Sequence, residues 1–276
     1  ALANKSLVRH ESGLNGEPRF TMLEAIREFA LERLAAQKGT EELQRRHASY
    51  YLELAEQIEP DLGGPQQDLL LQVLEREHDN LREAISLALK YSDAELGLRL
   101  CVALWWFWFV RGYLSEGRHW LESVLVKFGS SAVSDEHALL RAKVLNAAGV
   151  LAHDQGDYVQ ATILHEQSLA LVRALGRTGG IAASLNNLGL VARSQGQYER
   201  AATYYAESLA LRREQGDEWS MAVALSNLGL VASDQGHYQG AVARYEESLA
   251  LRQQLGDRSG IAILLNQLRV TEYQQR

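Results

Sequence analysis

Two periods of apolar positions overlap along residues 141–276, one of helical length and one of forty residues. Within 181–220, Leu185, Leu188, Gly189 and Ala192 recur at i, i+3, i+4 and i+7, one face of a helix. Tyr198, Ala201, Ala202, Tyr205, Ser208 and Leu209 form a second helical stripe. Gln195-Gly196-Gln197 separates the two, and Gly196 suits the left-handed position that closes a helix. Gly216-Asp217 ends the second helix and places Asp217 to cap the next. The following forty residues repeat the pattern, agreeing without gaps at 21 of 40 positions. Residues 141–180 share the register: Gly149, Gly189 and Gly229 coincide, as do Tyr158, Tyr198 and Tyr238, and Ser-Leu-Ala-Leu returns at 168–171, 208–211 and 248–251. Residues 261–276 begin a fourth copy and stop halfway. Gly189 and Ala201, twelve apart across the turn, predict a place where two antiparallel helices press backbone to backbone.

Leu188-Gly189, Ala192, Ala201, Tyr205 and Ser208 resemble the small-and-large signature of tetratricopeptide repeats. Arg213 stands where that family places a proline, and the period is 40 rather than 34, which implies longer helices and a different superhelical pitch. The resemblance covers residues 141–276 and implies an all-α, right-handed superhelix of helix pairs, to which the chain adds a short N-terminal β-hairpin. A divergent unit is expected before it. Gly112-Tyr113-Leu114, Gly117, Trp120, Leu121 and Leu125 follow the spacing of the later second helices, with Trp105 falling opposite Gly117 and Ser92-Asp93-Ala94-Glu95 reading as a capping box. The expected division is 1–37, 38–91, 92–136 for the divergent repeat, and 137–276 for three repeats with a partial fourth.

Residues 6–9 and 19–22 flank Gly13-Leu14-Asn15-Gly16 and predict the hairpin. Helices are predicted over 23–37, 40–58, 66–74 and 76–91, with Gly63-Gly64-Pro65 as the clearest break. Lys5-Ser6-Leu7-Val8 together with the run from Phe20 to Ala30 resembles the tail of the winged-helix domain in bacterial signal-transduction ATPases with numerous domains. The run from Glu75 to Ala84 resembles the helical connector leading into their repeats. That resemblance implies a winged-helix remnant at 1–37, a connector at 38–91, an ATPase upstream, and repeats acting as the sensor arm of a transcriptional or signalling regulator.

An apolar content of 46% is enough for a sizeable core. The net charge of −7 calls for no basic face, so direct contact with nucleic acid is not expected. The longest apolar run, 102–110, is too short to span a bilayer. Ala1 opens the chain without a methionine or a secretory core, which reads as a fragment of a cytoplasmic protein, a trimmed chain or a tag remnant. Cys101, among apolar neighbours, reads as a buried inert thiol. There is no phosphate-cradling Gly-x-x-x-x-Gly-Lys-Ser/Thr, no Gly-x-Ser-x-Gly elbow and no His-Glu-x-x-His, so no catalytic residue, metal ligand or cofactor is assigned. A non-catalytic role is expected.

The candidate site is a stripe on the first helices. Asn186, Leu190 and Arg193 lie at i, i+4 and i+7, offset from the apolar Leu185, Leu188 and Ala192. The matching positions are Asn146, Val150 and His153, then Ser226, Leu230 and Ser233, then Asn266, Val270 and Tyr273, with Asn187, Asn227 and Gln267 beside them. By the resemblance this stripe faces a concave groove. There the amides, each both donor and acceptor, would hold the backbone of a protein or extended peptide, or instead only bridge adjacent helices. The run Trp105-Trp106-Phe107-Trp108-Phe109 supports an alternative, a receptor for a small molecule or short signalling peptide, although core packing also explains it. Leu264, Leu265 and Leu268 in the half-copy lack a covering helix, which suggests an excised domain or a homodimer through that end.

Overall fold

The computed structural model describes residues 8–12, 18–23, 26, 29–30, 33, 39–128 and 134–275. They form two compact units, Ala1–Phe107 and Trp108–Arg276.

In the first unit, β1 (Arg9–Ser12) and β2 (Pro18–Thr21) pair antiparallel, with His10 opposite Phe20. The ladder lies closer to the turn than the segments 6–9 and 19–22 read from the sequence, and the turn residues themselves lie outside the described residues. So does most of the helix expected over 23–37. α1 (Thr40–Ile58), a short 3-10 turn (Glu59–Asp61), α2 (Gln67–Arg76) and α3 (His78–Lys90) follow the pattern closely. α1 packs on α3. Ala48, Leu52, Ala55 and Ile58 on the one, and Leu81, Ala84, Ile85 and Ala88 on the other, are buried. α4 (Ala94–Arg111) begins with Asp93, whose Oδ1 accepts the Leu96 N–H at 3.1 Å. The cap is therefore Asp93 rather than Ser92, which sits at φ +55° just outside the helix. Arg99 forks onto both oxygens of Glu56 at 2.7 Å, and Cys101 is buried in the core, which pushes its thiol pKa up.

The second unit is a file of helices: α5 (Leu114–Phe128), α6 (Asp135–Asp154), α7 (Tyr158–Ala174), α8 (Thr178–Ser194), α9 (Tyr198–Gln215), α10 (Glu218–Asp234), α11 (Tyr238–Leu255) and α12 (Arg258–Gln275). α6 and α7, α8 and α9, and α10 and α11 form three pairs, and each second helix also packs on the first helix of the next pair. The repeat thus becomes a continuous core that no single pair can close. Gly196 (φ +72°) turns each chain direction inside a pair: its N–H reaches the Arg193 carbonyl and the Gln197 N–H reaches back to the Ala192 carbonyl. This is the closure expected of a left-handed glycine after a helix. Asp217 caps α10 through the Ser220 N–H at 3.0 Å.

What the small residues make room for differs from the expectation. A Cβ on Gly189 would lie 2.7 Å from the ring of Tyr205, and one on Gly229 would lie 2.5 Å from the ring of Tyr245. The glycine therefore receives an aromatic ring from the second helix, sixteen residues on, rather than the backbone at Ala201. Ala201 is buried beside it with Ala192, Tyr205 and Val231. In the first copy His165 takes the ring position, over Gly149. Likewise the neighbour of Gly117 is Trp108, not Trp105: a Cβ there would meet Trp108 at 2.9 Å and Leu151 at 2.8 Å. The recurring Ser-Leu-Ala-Leu also gains a reason. Ser168, Ser208 and Ser248 are buried and donate to the carbonyls of Ala142, Ala182 and Ala222 at 2.7–2.8 Å, tying each second helix to its first.

The two tyrosines end differently. The Tyr245 hydroxyl has beside it the hydroxyl of Thr271 of α12, a side chain able to pair with it. Tyr205 meets Val231 at the matching place, and its hydroxyl is buried without a partner. Removing an unpaired buried hydroxyl relieves a desolvation cost, whereas removing a paired one strands its partner. Urea unfolding should therefore show Tyr205→Phe neutral or stabilising, and Tyr245→Phe destabilised by about 1 kcal/mol. Equal losses in both would contradict this difference.

Candidate functional site

The stripe read from the sequence lies on the first helices, and its polar members are joined from one helix to the next. Asn187 Nδ2 donates to Asn146 Oδ1 at 3.0 Å, and Asn227 Nδ2 donates to Asn186 Oδ1 at 3.0 Å. His153 Nε2 and Ser194 Oγ lie 2.8 Å apart, and Arg193 Nε donates to Asp234 Oδ2 at 2.6 Å. Ser233 Oγ donates to Gln274 Oε1 at 3.4 Å. Every one of these links spans 41 residues. A helix repeat of forty plus one residue brings the next first helix alongside with its neighbouring side chain turned across the gap.

These links also hold neighbouring first helices close to one another. Asparagine and serine side chains are short, so amides that bond across helices require those helices to lie close together. The second helices are joined by long reaches instead, Arg173 to Glu207 at 2.9 Å and Arg213 to Glu247 at 2.7 Å.

The predicted residues thus divide. Asn146, Asn186, Asn187, Asn227, His153 and Arg193 are half-buried and engaged in the links. Ser226 is buried, and Asn266 is exposed and accepts from Arg269 Nη2 at 3.2 Å. Leu190 and Leu230 are half-buried, and with Val150 and Val270 they place one aliphatic side chain per repeat on the same face. The sequence reading missed Ser194, Asp234 and Gln274 as linking partners. The available signal was the recurrence of a polar residue one position beyond the stripe in the following copy, already visible as Asn187 and Asn227.

One link carries an unusual titratable group. His165 is 1% exposed, and its Nδ1 lies 3.1 Å from Asn146 Oδ1, the same oxygen that accepts from Asn187. An amide oxygen only accepts, so the neutral ring holds its proton on Nδ1. Burial, helped by nearby His153, pushes the His165 pKa down to about 3. His153 is also lowered by burial, against the pull of Asp154.

The aromatic run is engaged within the fold. In the first unit Phe107 is buried with its ring edge-on to His78 at 5.1 Å, and the Trp106 indole N–H donates to the Leu62 carbonyl at 3.2 Å. In the second unit Trp108 is buried against Gly117. Among the described residues no group of three or more His, Cys, Asp or Glu side chains is placed to hold a metal ion, and no helix is long and apolar enough to cross a membrane.

Comparison with known proteins agrees with this architecture. Models of the tetratricopeptide repeat match residues 140–214 and 221–255, so those segments carry such repeats. A Mycobacterium tuberculosis protein named "Putative HTH-type transcriptional regulator Rv0890c" is 31% identical over 190 residues, 67% of this chain, and a Mycobacterium bovis counterpart matches equally. The chain spans only 21% of the length of these relatives. Among solved structures, aspartyl phosphate phosphatase F from Bacillus subtilis superposes with a TM-score of 0.61 at 15% identity, over 98% of this chain and 64% of that one. BtubC from P. vanneervenii superposes with 0.55 at 18% identity, over 85% and 84%. At such identities the likeness is one of fold.

Proposed function

We propose that the repeats bind a protein or extended peptide along the first-helix face, and that the chain is the non-catalytic regulatory arm of a larger cytoplasmic transcriptional regulator. The observation that carries this is the aliphatic line Val150, Leu190, Leu230 and Val270, held at regular spacing by the cross-helix links. Polar groups engaged by neighbours have little left to offer a ligand, so recognition rests on these side chains and on the rims beside them. This replaces the amide clamp expected from sequence with a ridge of apolar contacts. The mycobacterial relatives named as HTH-type regulators support the regulatory role. In this reading residues 1–37 are the end of a winged helix, 38–91 a connector and 92–136 a divergent repeat, with an ATPase preceding them.

The test replaces Leu190 and Leu230 by Glu in the full-length regulator, with Val159→Glu, 70% exposed on a second helix, as control. Transcripts that respond to deletion of the regulator should lose their response in the double variant and keep it in the control, with far-UV circular dichroism unchanged in both. A retained response in the double variant would reject the first-helix face as the binding surface.

A further inference from the structure

We infer that the first-helix face takes a large apolar side chain of an extended, acidic partner segment into a notch over α8, with Trp219 as the wall of the notch and Lys143 as the counter-charge of the segment's carboxylate. This rests on the first-helix reading above and adds its anchor and its charge. The aliphatic line does not exhaust that face. Seven and eleven residues before Val150, Leu190 and Leu230, spacings that return to the same side of a helix, stand two further rows. One holds Lys143, Ala183 and Val223, and the other Leu139, Gly179 and Trp219. None of these six is buried: Lys143 and Trp219 are exposed and the rest are half-buried.

The rows are uneven across the stack. α8 lies between α6 and α10 and packs on both. On α8 the two rows offer only an alanine and a glycine, whereas the flanking helices carry Leu139 and Lys143 on one side, Val223 and Trp219 on the other. The face is therefore recessed along α8 and raised beside it. Its floor is held from within: Arg212 Nη2 donates to the Gly179 carbonyl at 3.2 Å while Nη1 donates to Asp217 Oδ2 at 3.0 Å. A Cβ on Gly179 would lie 3.7 Å from the Gln215 side chain and 3.8 Å from that of Arg212, ordinary contact with flexible ends. The space over Gly179 is thus not filled by a neighbour, as the space over Gly189 is by Tyr205.

The walls state what fits. Trp219 is 58% exposed, an indole standing in water on the face where the aliphatic line runs. Tryptophan is the commonest anchor of binding surfaces, and its ring beside a recess offers one large apolar side chain contact on a broad flat wall. Lys143 alone among the six is charged. A carboxylate three or four residues along α6 would neutralise it, but those positions are Leu139, Leu140, Asn146 and Ala147. It makes no ion pair among the described residues, whereas Arg193, the other cation of this face, is spent on Asp234 at 2.6 Å. The charge left to a partner is positive, so the complementary segment carries a carboxylate. Packed helices lie about 8–10 Å apart and an extended chain advances about 3.3 Å per residue, which sets that carboxylate about three residues from the anchoring side chain.

Selection from a displayed library of random decapeptides against the immobilised full chain tests the face and the notch separately. Wild type should enrich peptides with an aromatic residue or leucine about three residues from an Asp or Glu. The double variant Leu190→Glu, Leu230→Glu should no longer bind them. Trp219→Ala and Gly179→Leu should each bind the same peptides at least about tenfold more weakly, the loss expected of an anchor. Gly179→Leu fills the notch from a position whose Cβ meets no close neighbour, so its urea midpoint should not fall. Selection against Lys143→Glu should exchange the acidic residue of the peptides for Lys or Arg, a change that a merely structural lysine would not cause. A library that yields no peptide dependent on Leu190 and Leu230 overturns the first-helix face itself. Peptides that need those leucines but are indifferent to Trp219→Ala and Gly179→Leu overturn the notch while leaving the face in place. An unchanged acidic preference in Lys143→Glu overturns the charge pairing.

Discussion

Replacing Gly189 by alanine should destabilise the protein by about 2–3 kcal/mol, although alanine is the better helix former. The reason is local. The new methyl would fall 2.7 Å from the Tyr205 ring, which is fully buried and walled by Ala192, Ala201 and Val231. The ring cannot swing into solvent, so the helix pair must open. Two comparisons separate this from a general effect of the substitution. Gly240 is also helical, in α11, but a Cβ there meets nothing within 4 Å. Gly240→Ala should therefore stabilise by roughly 0.5–1 kcal/mol. In a Tyr205→Ala background, itself costing about 3–5 kcal/mol, Gly189→Ala should change sign and stabilise. Urea denaturation of the four chains gives the coupling directly. If Gly189→Ala costs the same with and without the Tyr205 ring, the ring-on-glycine contact is not what holds that position to glycine.

Acid should weaken the first repeat ahead of the others, because His165 must stay neutral. Its folded pKa, about 3, lies below the ordinary histidine value near 6.5. The unfolded chain therefore takes up a proton that the folded chain refuses. Stability from this group is complete above pH 6.5 and is lost as pH falls toward 3, at up to about 1.4 kcal/mol per pH unit. By pH 5 the loss is about 2 kcal/mol, with little screening for a ring 1% exposed. The link at stake joins two repeats, since Asn146 Oδ1 serves both His165 and Asn187. His165→Tyr installs the residue that the second and third copies already place on their glycine, and it removes the titration. Denaturation at pH 7.5 and at pH 5 should show the variant losing about 2 kcal/mol less than wild type across that interval. Surface carboxylates titrate in both proteins and cancel in the difference. Equal losses would assign the acid sensitivity elsewhere.

The repeat, its two helices and their ends were legible because they rest on local rules. Glycine at 196 and 216 closes helices by its own backbone freedom, and Asp217 caps by a side chain three residues from its donor. Leu185, Leu188 and Ala192 show their burial by helical spacing alone. The candidate site was legible as a set of positions and not as a set of contacts. Asn146, Asn186 and Arg193 stand on the predicted face, but whether an amide meets a ligand or a neighbouring amide depends on residues forty-one positions away. Sequence spacing within one helix does not contain that distance. The pairing of Trp108 with Gly117 was misplaced by three residues for the same reason: positions one helical turn apart share a face, and only packing chooses between them.

By itself the order of residues determined that this chain makes helices in pairs, where each pair turns, and which side of each helix is greasy, since these follow from bonds and spacings of a few residues. Tertiary structure alone decided that a ring rather than a backbone fills the space above each glycine and that the asparagines stitch helix to helix. Those outcomes depend on how closely neighbouring helices approach, a distance set by all the side chains between them at once.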